Sequence, residues 1–423
     1  VSASDDTHRA IEAVWRIESA KIVAGVARLT RDVGLAEELA QDALIAALEH
    51  WPAEGVPNNP GAWLMATAKR RALDRLRHHA MAAREQDALA HDLQARQAHV
   101  VPDLVDGLVA AESDPVGDDL LRLIFTACHP VLARDAQVAL TLRLLGGLTT
   151  PEIARAFLAS EATIAQRIVR AKRTLAEARV PFDLPGSGVL SERLAAVLEV
   201  IYLIFNEGYA ASSGEDWMRP GLADEALRLA RMLAALASDE PEVQGLVALM
   251  ELQASRTKAR VDAQGAPVLL LDQDRARWDR LLIRRGLAAL ARAQSLAHDG
   301  LGPYALQAAI AACHARAATA DATDWLRIVA LYDALMQRAP SPVVALNRAV
   351  AVGMAEGAAA ALPLADALAE EAALARYHLV HAVRGDLLAK LNRGEEARAA
   401  FELAAALTHN EREKALLLAR AAR

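Results

Sequence analysis

An all-α fold is predicted for this 423-residue chain: two compact helical units, the second with a helix-turn-helix, then a long helical extension. Three observations carry that expectation. Hydrophobic residues make up 54% of the sequence, largely Ala and Leu, and aromatics only 4%. Ala and straight-chain residues lose little on entering a helix, whereas β-branched and aromatic residues lose more. No run alternates Val, Ile and Thr, so no sheet is expected. The apolar stripes that stand out, such as Ile164, Ile168, Ala171 and Leu175, fall at spacings of four and three.

The elements separate by composition. Residues 8–80 read as a helical unit that ends in a basic stretch. Residues 81–118 are polar, carry Pro102 and Pro115, and read as a partly helical linker. Residues 119–180 read as a second helical unit. Val180-Pro181-Phe182-Asp183-Leu184-Pro185-Gly186-Ser187-Gly188 is a breaker. Residues 190–300 are a helical extension, and residues 301–423 carry a weak repeat. In it Tyr332, Ala365 and Phe401 recur at intervals of 33 and 36 residues. Around the last of these, Gly385, Leu388, Ala397 and Ala404 match the small and large packing positions of a tetratricopeptide repeat, whose period is about 34. Any Ala-rich helical hairpin gives similar matches.

The net charge of −7 argues against a general nucleic-acid binder, which is usually basic. The charge is uneven, however. Lys69, Arg70, Arg71, Arg75 and Arg77 stand against Asp74 alone, and residues 152–180 hold six basic and three acidic side chains. Screening leaves such local patches as what a phosphate feels. Two distant cysteines, Cys128 and Cys313, support no disulfide framework, and a reducing cytoplasm fits. Asp5, Asp6 and Arg9 do not read as a signal peptide. The most apolar run, Leu194 to Phe205, is broken by Glu199 and too short for a bilayer, so no membrane association is expected.

The strongest local signal spans Leu148 to Leu175. Thr149 or Thr150 caps a first helix, Pro151 suits its first turn, and Glu152 completes a capping box from Thr149. Leu158-Ala159-Ser160 is a short turn, and Ser160 caps the next helix. With Ile164, Ile168, Ala171 and Leu175 buried, Thr163, Gln166, Arg167, Arg170, Lys172 and Arg173 are left for DNA, and Thr150 and Ser160 at the helix starts join them as DNA contacts. A polar, basic second helix of this kind enters the major groove. The same spacing also fits an ordinary hairpin with a solvated face. The second signal is Trp63 to Arg77. Trp63, Leu64, Ala68, Ala72 and Leu76 form an apolar side, and Lys69, Arg70, Arg75 and Arg77 project elsewhere. With the loop Pro52 to Gly61, including Asn58 and Asn59, this helix can grip unpaired DNA through phosphates and an unstacked base edge.

Over about residues 8–178 the chain resembles the extracytoplasmic-function class of sigma factors. Ala36-Glu37-Glu38-Leu39-Ala40-Gln41-Asp42 looks like the acidic helix that the class places on the β′ clamp helices of RNA polymerase. The resemblance therefore implies polymerase contacts through Glu37, Glu38, Gln41 and Asp42. Trp63 to Arg77 looks like the reader of the promoter −10 element, which adds Arg71 to the DNA-facing set. Leu148 to Lys172 looks like the −35 reader, ending in Arg170-Ala171-Lys172. Leu158 stands where the family often has Gly, and Arg70 where many members carry a base-reading Asn.

The extension resembles that of sigma factors with tetratricopeptide-like C-terminal helices. Phe205-Asn206-Glu207-Gly208-Tyr209 and Asp272-Gln273-Asp274-Arg275-Ala276-Arg277-Trp278-Asp279 look like its signatures, as does Phe125-Thr126-Ala127-Cys128-His129-Pro130. This implies a regulatory role for Asn206, Glu207, Tyr209, Asp272, Arg275, Trp278 and Asp279. The expected partners are core polymerase (β′ clamp helices and β flap), promoter DNA, and a regulatory protein or peptide on the last helices. No catalytic motif, cofactor or metal is expected: Cys128-His129 lacks further ligands at finger spacing, and Asp272, Asp274 and Asp279 lack a calcium loop's Gly and Glu. The alternative is a free-standing helix-turn-helix regulator with a ligand- or peptide-sensing helical domain.

Overall fold

The computed structural model describes residues 3–91, 115–157, 159–186, 188–211, 217–372 and 374–422. Most of the expected linker, Pro102 included, lies outside the described residues, as do Leu158 and Ser187. The described chain is helical, with one isolated β-bridge between Val261 and Pro267. It divides into two compact units: residues 1–155 with 159–200, and residues 156–158 with 201–423.

In the first unit, α1 (Ala3–Thr30), α2 (Val33–Glu54) and α3 (Pro60–His91) pack on one another. Their contact faces are small: Ala20, Ala24 and Ala27 on α1, Ala36, Ala40, Ala43 and Ala47 on α2, and Ala68 and Ala72 on α3 are all buried. Asp32 starts α2 by accepting from the Gly34 and Leu35 amides at 2.7 and 3.0 Å. The expected loop from Pro52 is shorter than its sequence reads. Pro52 lies inside the last turn of α2, which is capped by Gly55, with φ 87° and its amide N–H donating to the Trp51 carbonyl. Then follow α4 (Pro115–Ala127), α5 (Arg134–Leu144), α6 (Thr150–Ala156) and α7 (Glu161–Glu177). Asp119 on α4, 3% exposed, ties α4 to α1 through Arg28 at 3.4 Å. Cys128 is buried against Thr141 at 3.5 Å, and burial pushes its thiol up to about 11.

The division between the units falls within α8 (Leu190–Tyr209). Its first half belongs to the first unit, where Arg193 donates to the Phe125 carbonyl and Leu194, Val197 and Leu198 are buried. The second unit continues with α9 (Pro220–Leu236), α10 (Pro241–Ala254), α11 (Arg280–Leu296) and α12 (Pro303–Arg316). α10 is its axis. Residues 243–252 are all buried, against α9, α11 and α12. Then come α13 (Trp325–Arg338), α14 (Pro342–Ala355), α15 (Ala358–Ala369), α16 (His378–Lys390), α17 (Gly394–Leu407) and α18 (Glu411–Ala421), each packed on the next. Of the three repeat positions, Ala365 and Phe401 are buried and Tyr332 is half-buried. Gly385 makes room for Phe401: a Cβ there would lie 2.8 Å from the ring. No described helix is long and apolar enough to cross a membrane.

Gly208 sits where α8 meets α9, and a Cβ on it would lie 2.3 Å from the Ala223 backbone nitrogen. Helix propensity alone favours Gly208→Ala by about 1 kcal/mol. Collision with backbone, which cannot rotate away, outweighs that gain. We expect Gly208→Ala to destabilise the second unit by about 2 kcal/mol, read as a lower urea midpoint. An unchanged or raised midpoint would refute the close approach.

Candidate nucleic-acid interface

The helix-turn-helix forms from its own local chemistry. Thr149 and Glu152 make the capping box: the Thr149 amide and hydroxyl donate to the Glu152 carboxylate at 2.7 and 2.8 Å, and the Glu152 amide donates back to the Thr149 hydroxyl at 3.4 Å. Thr150 is therefore the first residue of α6 rather than its cap. Ser160 caps α7, accepting from the Thr163 amide at 3.1 Å. Ile164, Ile168, Ala171 and Leu175 are buried. Opposite them, Thr163, Gln166, Arg170 and Arg173 are exposed. Arg173 is held within the helix by Glu177 at 2.6 Å, a bond that raises the guanidinium pKa. Arg167 pairs with Asp135 at 3.3 Å, at one side of a cleft of about 360 Å³ that Gln166 and Arg170 also line.

On α3 the cationic face is open. Arg70, Arg75 and Arg77 are exposed and Lys69 is half-buried. Arg77 lies 3.5 Å from Asp74. Asn58 is exposed, while Asn59 caps α3 by accepting from the Ala62 amide at 3.1 Å. Trp63 is half-buried and meets Trp51 edge-on, with ring centroids 5.4 Å apart. Leu64, Ala68 and Ala72 are buried as their spacing predicts, but Leu76 is 36% exposed. By Leu76, α3 has run beyond the faces that α1 and α2 offer, so helical period alone no longer buries a residue.

The acidic face of α2 splits in two. Glu38 is exposed, and Asp42 is half-buried and paired with Arg71 at 3.5 Å. Glu37 is 4% exposed. Its carboxylate accepts from Gln41 at 2.7 Å and from the Arg143 Nε of α5 at 2.6 Å, and it is paired with Lys172 of α7. One carboxylate thus ties α2 to both α5 and α7. Sequence reasoning missed Arg143, an Arg in the last turn of α5 that no motif singles out.

The extension signatures resolve into internal contacts. Glu207 pairs with Arg219. Tyr209 stacks on Phe205, centroids 5.5 Å apart, and Asn206 is half-buried. In the second signature Asp274 and Asp279 are caps, each accepting from amides that follow it. Arg275 donates to the carbonyls of His314 and Ala317 and to Thr323. Trp278 is buried, and Asp272 is exposed.

Removing the Glu37 charge strands two cations beside each other. Glu37→Gln should lower stability by about 2–3 kcal/mol, less than for a fully buried pair because Arg143 and Lys172 keep 23% and 24% exposure. A double-mutant cycle with Arg143→Gln should show coupling of about 1 kcal/mol or more. Additive losses would refute the tie.

Comparisons with known proteins place names on this arrangement. Residues 18–81 match the sigma-70 region 2 family, residues 122–175 match sigma-70 region 4, and residues 193–294 match a family of unknown function, DUF6596. An uncharacterised protein of Rhizobium meliloti strain 1021 is 46% identical over 391 residues, covering 92% of this chain and 90% of its own. The ECF RNA polymerase sigma factor SigK of Mycobacterium ulcerans is 32% identical over 154 residues, 36% of this chain and 75% of that protein. SigK of Mycobacterium bovis strain BCG is 32% identical over 156 residues, with the same coverage. No solved structure is a significant match. With regions 2 and 4 in order, each on its own helical group, and SigK-like identity across both, the chain belongs to the extracytoplasmic-function sigma factors, non-enzymatic initiation factors that partner core RNA polymerase and promoter DNA.

Proposed function

We propose that this sigma factor docks on the β′ clamp helices through the exposed side of α2, with Glu38 and Asp42 as charged contacts, while the α5–α7 group meets the β flap. Helix α7 reads the −35 duplex through Thr163, Gln166, Arg167 and Arg170. Arg70, Arg75 and Arg77, with Lys69, Asn58 and Trp63, gather the −10 strand as it melts. The observation that carries this reading is the division of α7: one side is fully buried, and the other presents Thr163, Gln166 and Arg170 to solvent. Docking covers the acidic side chains Glu38 and Asp42 and leaves the basic side chains of α3 and α7 facing the promoter phosphates. That accounts for DNA binding by a chain of net charge −7. The factor acts in the cytoplasm.

The Glu38→Lys, Asp42→Lys double variant should lose co-purification with core polymerase while keeping its helical content, since the two lie four apart on one helix. Undiminished co-purification would remove this docking assignment. Arg170→Ala should cost the holoenzyme about 1–3 kcal/mol in promoter binding and relax preference at one base pair if it meets a base edge. A phosphate role would weaken all sequences alike and lower the salt slope by about one. No change in binding would reject both roles.

The extension, in this reading, is required for promoter-dependent activity, and its last helices can receive a regulatory protein or peptide. A cut after Arg179 would strip the first half of α8 from the first unit, where Arg193 satisfies the Phe125 carbonyl. A chain ending at Tyr209 keeps α8 whole. In reconstituted run-off transcription it should bind polymerase and lose activity. Raised activity would make the extension an inhibitory lid, and unaltered activity would leave it no part in initiation.

A further inference from the structure

The turn-rich connection between α10 and α11 gathers three arginines in an otherwise acidic chain. The Arg256 guanidinium lies 5.9 Å from the centre of the Trp278 ring, and that of Arg275 lies 4.7 Å from the same ring. Arg260, one turn after Arg256, sits 3.7 Å over Tyr209 and 5.7 Å from Trp217. Among the described residues, none of the three has a carboxylate within ion-pair distance. Arg275 is occupied with the His314 and Ala317 carbonyls and Thr323. Among the described residues, Arg260 has only the Met218 sulfur, at 3.3 Å, as a hydrogen-bond partner. The buried Arg256 Nε has no hydrogen-bond partner among the described residues.

Two further polar groups in the cluster lack partners. Among the described residues, the Trp278 Nε1–H has no acceptor although the residue is 4% exposed, and the His314 Nδ1 has no partner at 8% exposure. Native interiors leave few such groups, and each calls for an explanation. A half-buried guanidinium without an anion is costlier still. The local field is positive: burial, and after it Arg256 and Arg275, push the His314 imidazole down to about 4. Burial first, and the neighbouring Arg256 second among the lowering causes, depress Arg260 and Arg275 as well.

Packing alone explains Arg275, a clamp across three acceptors. It does not explain Arg256, Arg260 and the Trp278 N–H. We propose that these three groups, backed by the positive charge of Arg275, form a binding site in the extension for a small-molecule oxyanion, a ligand bearing phosphate or carboxylate. Planar guanidinium forks match such oxygens, and a buried indole N–H adds a third donor. Arg256 and Arg260 are half-buried, so solvent reaches the site. The site is argued from the extension's own residues and stands whether or not the extension governs initiation.

The test is thermal unfolding of the full-length protein with inorganic phosphate or, separately, citrate, against chloride at matched ionic strength. We expect a saturable rise in Tm of about 2–4 °C at tenfold excess over Kd. Arg256→Gln should abolish the saturable rise and leave Tm in chloride unchanged or higher, because it removes an unpaired cation. Trp278→Phe keeps the ring, removes the donor, and should weaken binding about tenfold, so it is the deciding variant if Arg256→Gln does not fold. Non-specific salting acts alike on all three proteins and cancels in the comparison. A response to phosphate alone assigns a phosphorylated ligand, and a response to citrate alone a carboxylated one. No saturable rise with either, or a rise that persists undiminished in the variants, overturns the proposal.

Discussion

With aromatics at 4%, the helices have few large rings to fill the gaps between them, so their backbones must come close. That constraint runs through both units. Alanines line the junction of α1 with α2 and α3, Gly208 admits the backbone of Ala223, and Gly245 lies so near α12 that a Cβ would stand 2.7 Å from the Ala305 nitrogen. Close packing gains dispersion energy over many small contacts. It also makes the assembly intolerant, since no long side chain can swing aside. The few large residues then mark special joints. Phe401 fills the space that Gly385 leaves, and Trp51 is fully buried where α2 meets α3.

Close packing of small residues is weakly directional, and polar ties supply what it lacks. Glu37 is the clearest case. Its carboxylate meets a glutamine of its own helix and a cation from each of two others, so it selects one arrangement of α2, α5 and α7. Buried charge of this kind contributes little net stability over an apolar filling. What it offers is reversibility. A competing surface that attracts α2, or an anion that attracts Lys172 and Arg143, can take over the same charges, which no apolar seam would permit. Asp119 with Arg28 and Arg122 plays a similar part between α4 and α1.

Legibility in the sequence follows this division between local and tertiary causes. The capping box of Thr149 and Glu152, the Ser160 cap and the buried stripe on α7 depend on residues within one or two turns, and each is readable from spacing. Pro52 reads as a breaker, and α2 does end two residues past it, at Glu54, because a proline inside a helix removes one hydrogen bond and crowds the carbonyl four residues earlier. Leu76 reads as core by period and is exposed because the bundle ends before it. Glu37 and Glu38 are adjacent and chemically alike, yet one is buried and the other solvated. Only the arrival of Arg143 and Lys172 separates them, and nothing within α2 announces either.

The signature residues of the extension show the same logic from the opposite side. Motifs dense in Asp, Arg and Asn look like surfaces for a partner, but Asp274 and Asp279 turn their oxygens to helix caps, and Arg275 gives its donors to the turn after α12. These residues are demanding because a connection without regular structure has many backbone groups to satisfy, and side chains must do it. A motif can thus be strict without touching anything outside the chain. Arg256 and Arg260 invert the case. Neither lies in a motif that stands out, and among the described residues no carboxylate lies within ion-pair distance of either guanidinium. Where a fold engages its conspicuous charges internally and leaves inconspicuous ones unmatched, the unmatched ones are the groups with binding energy still to give.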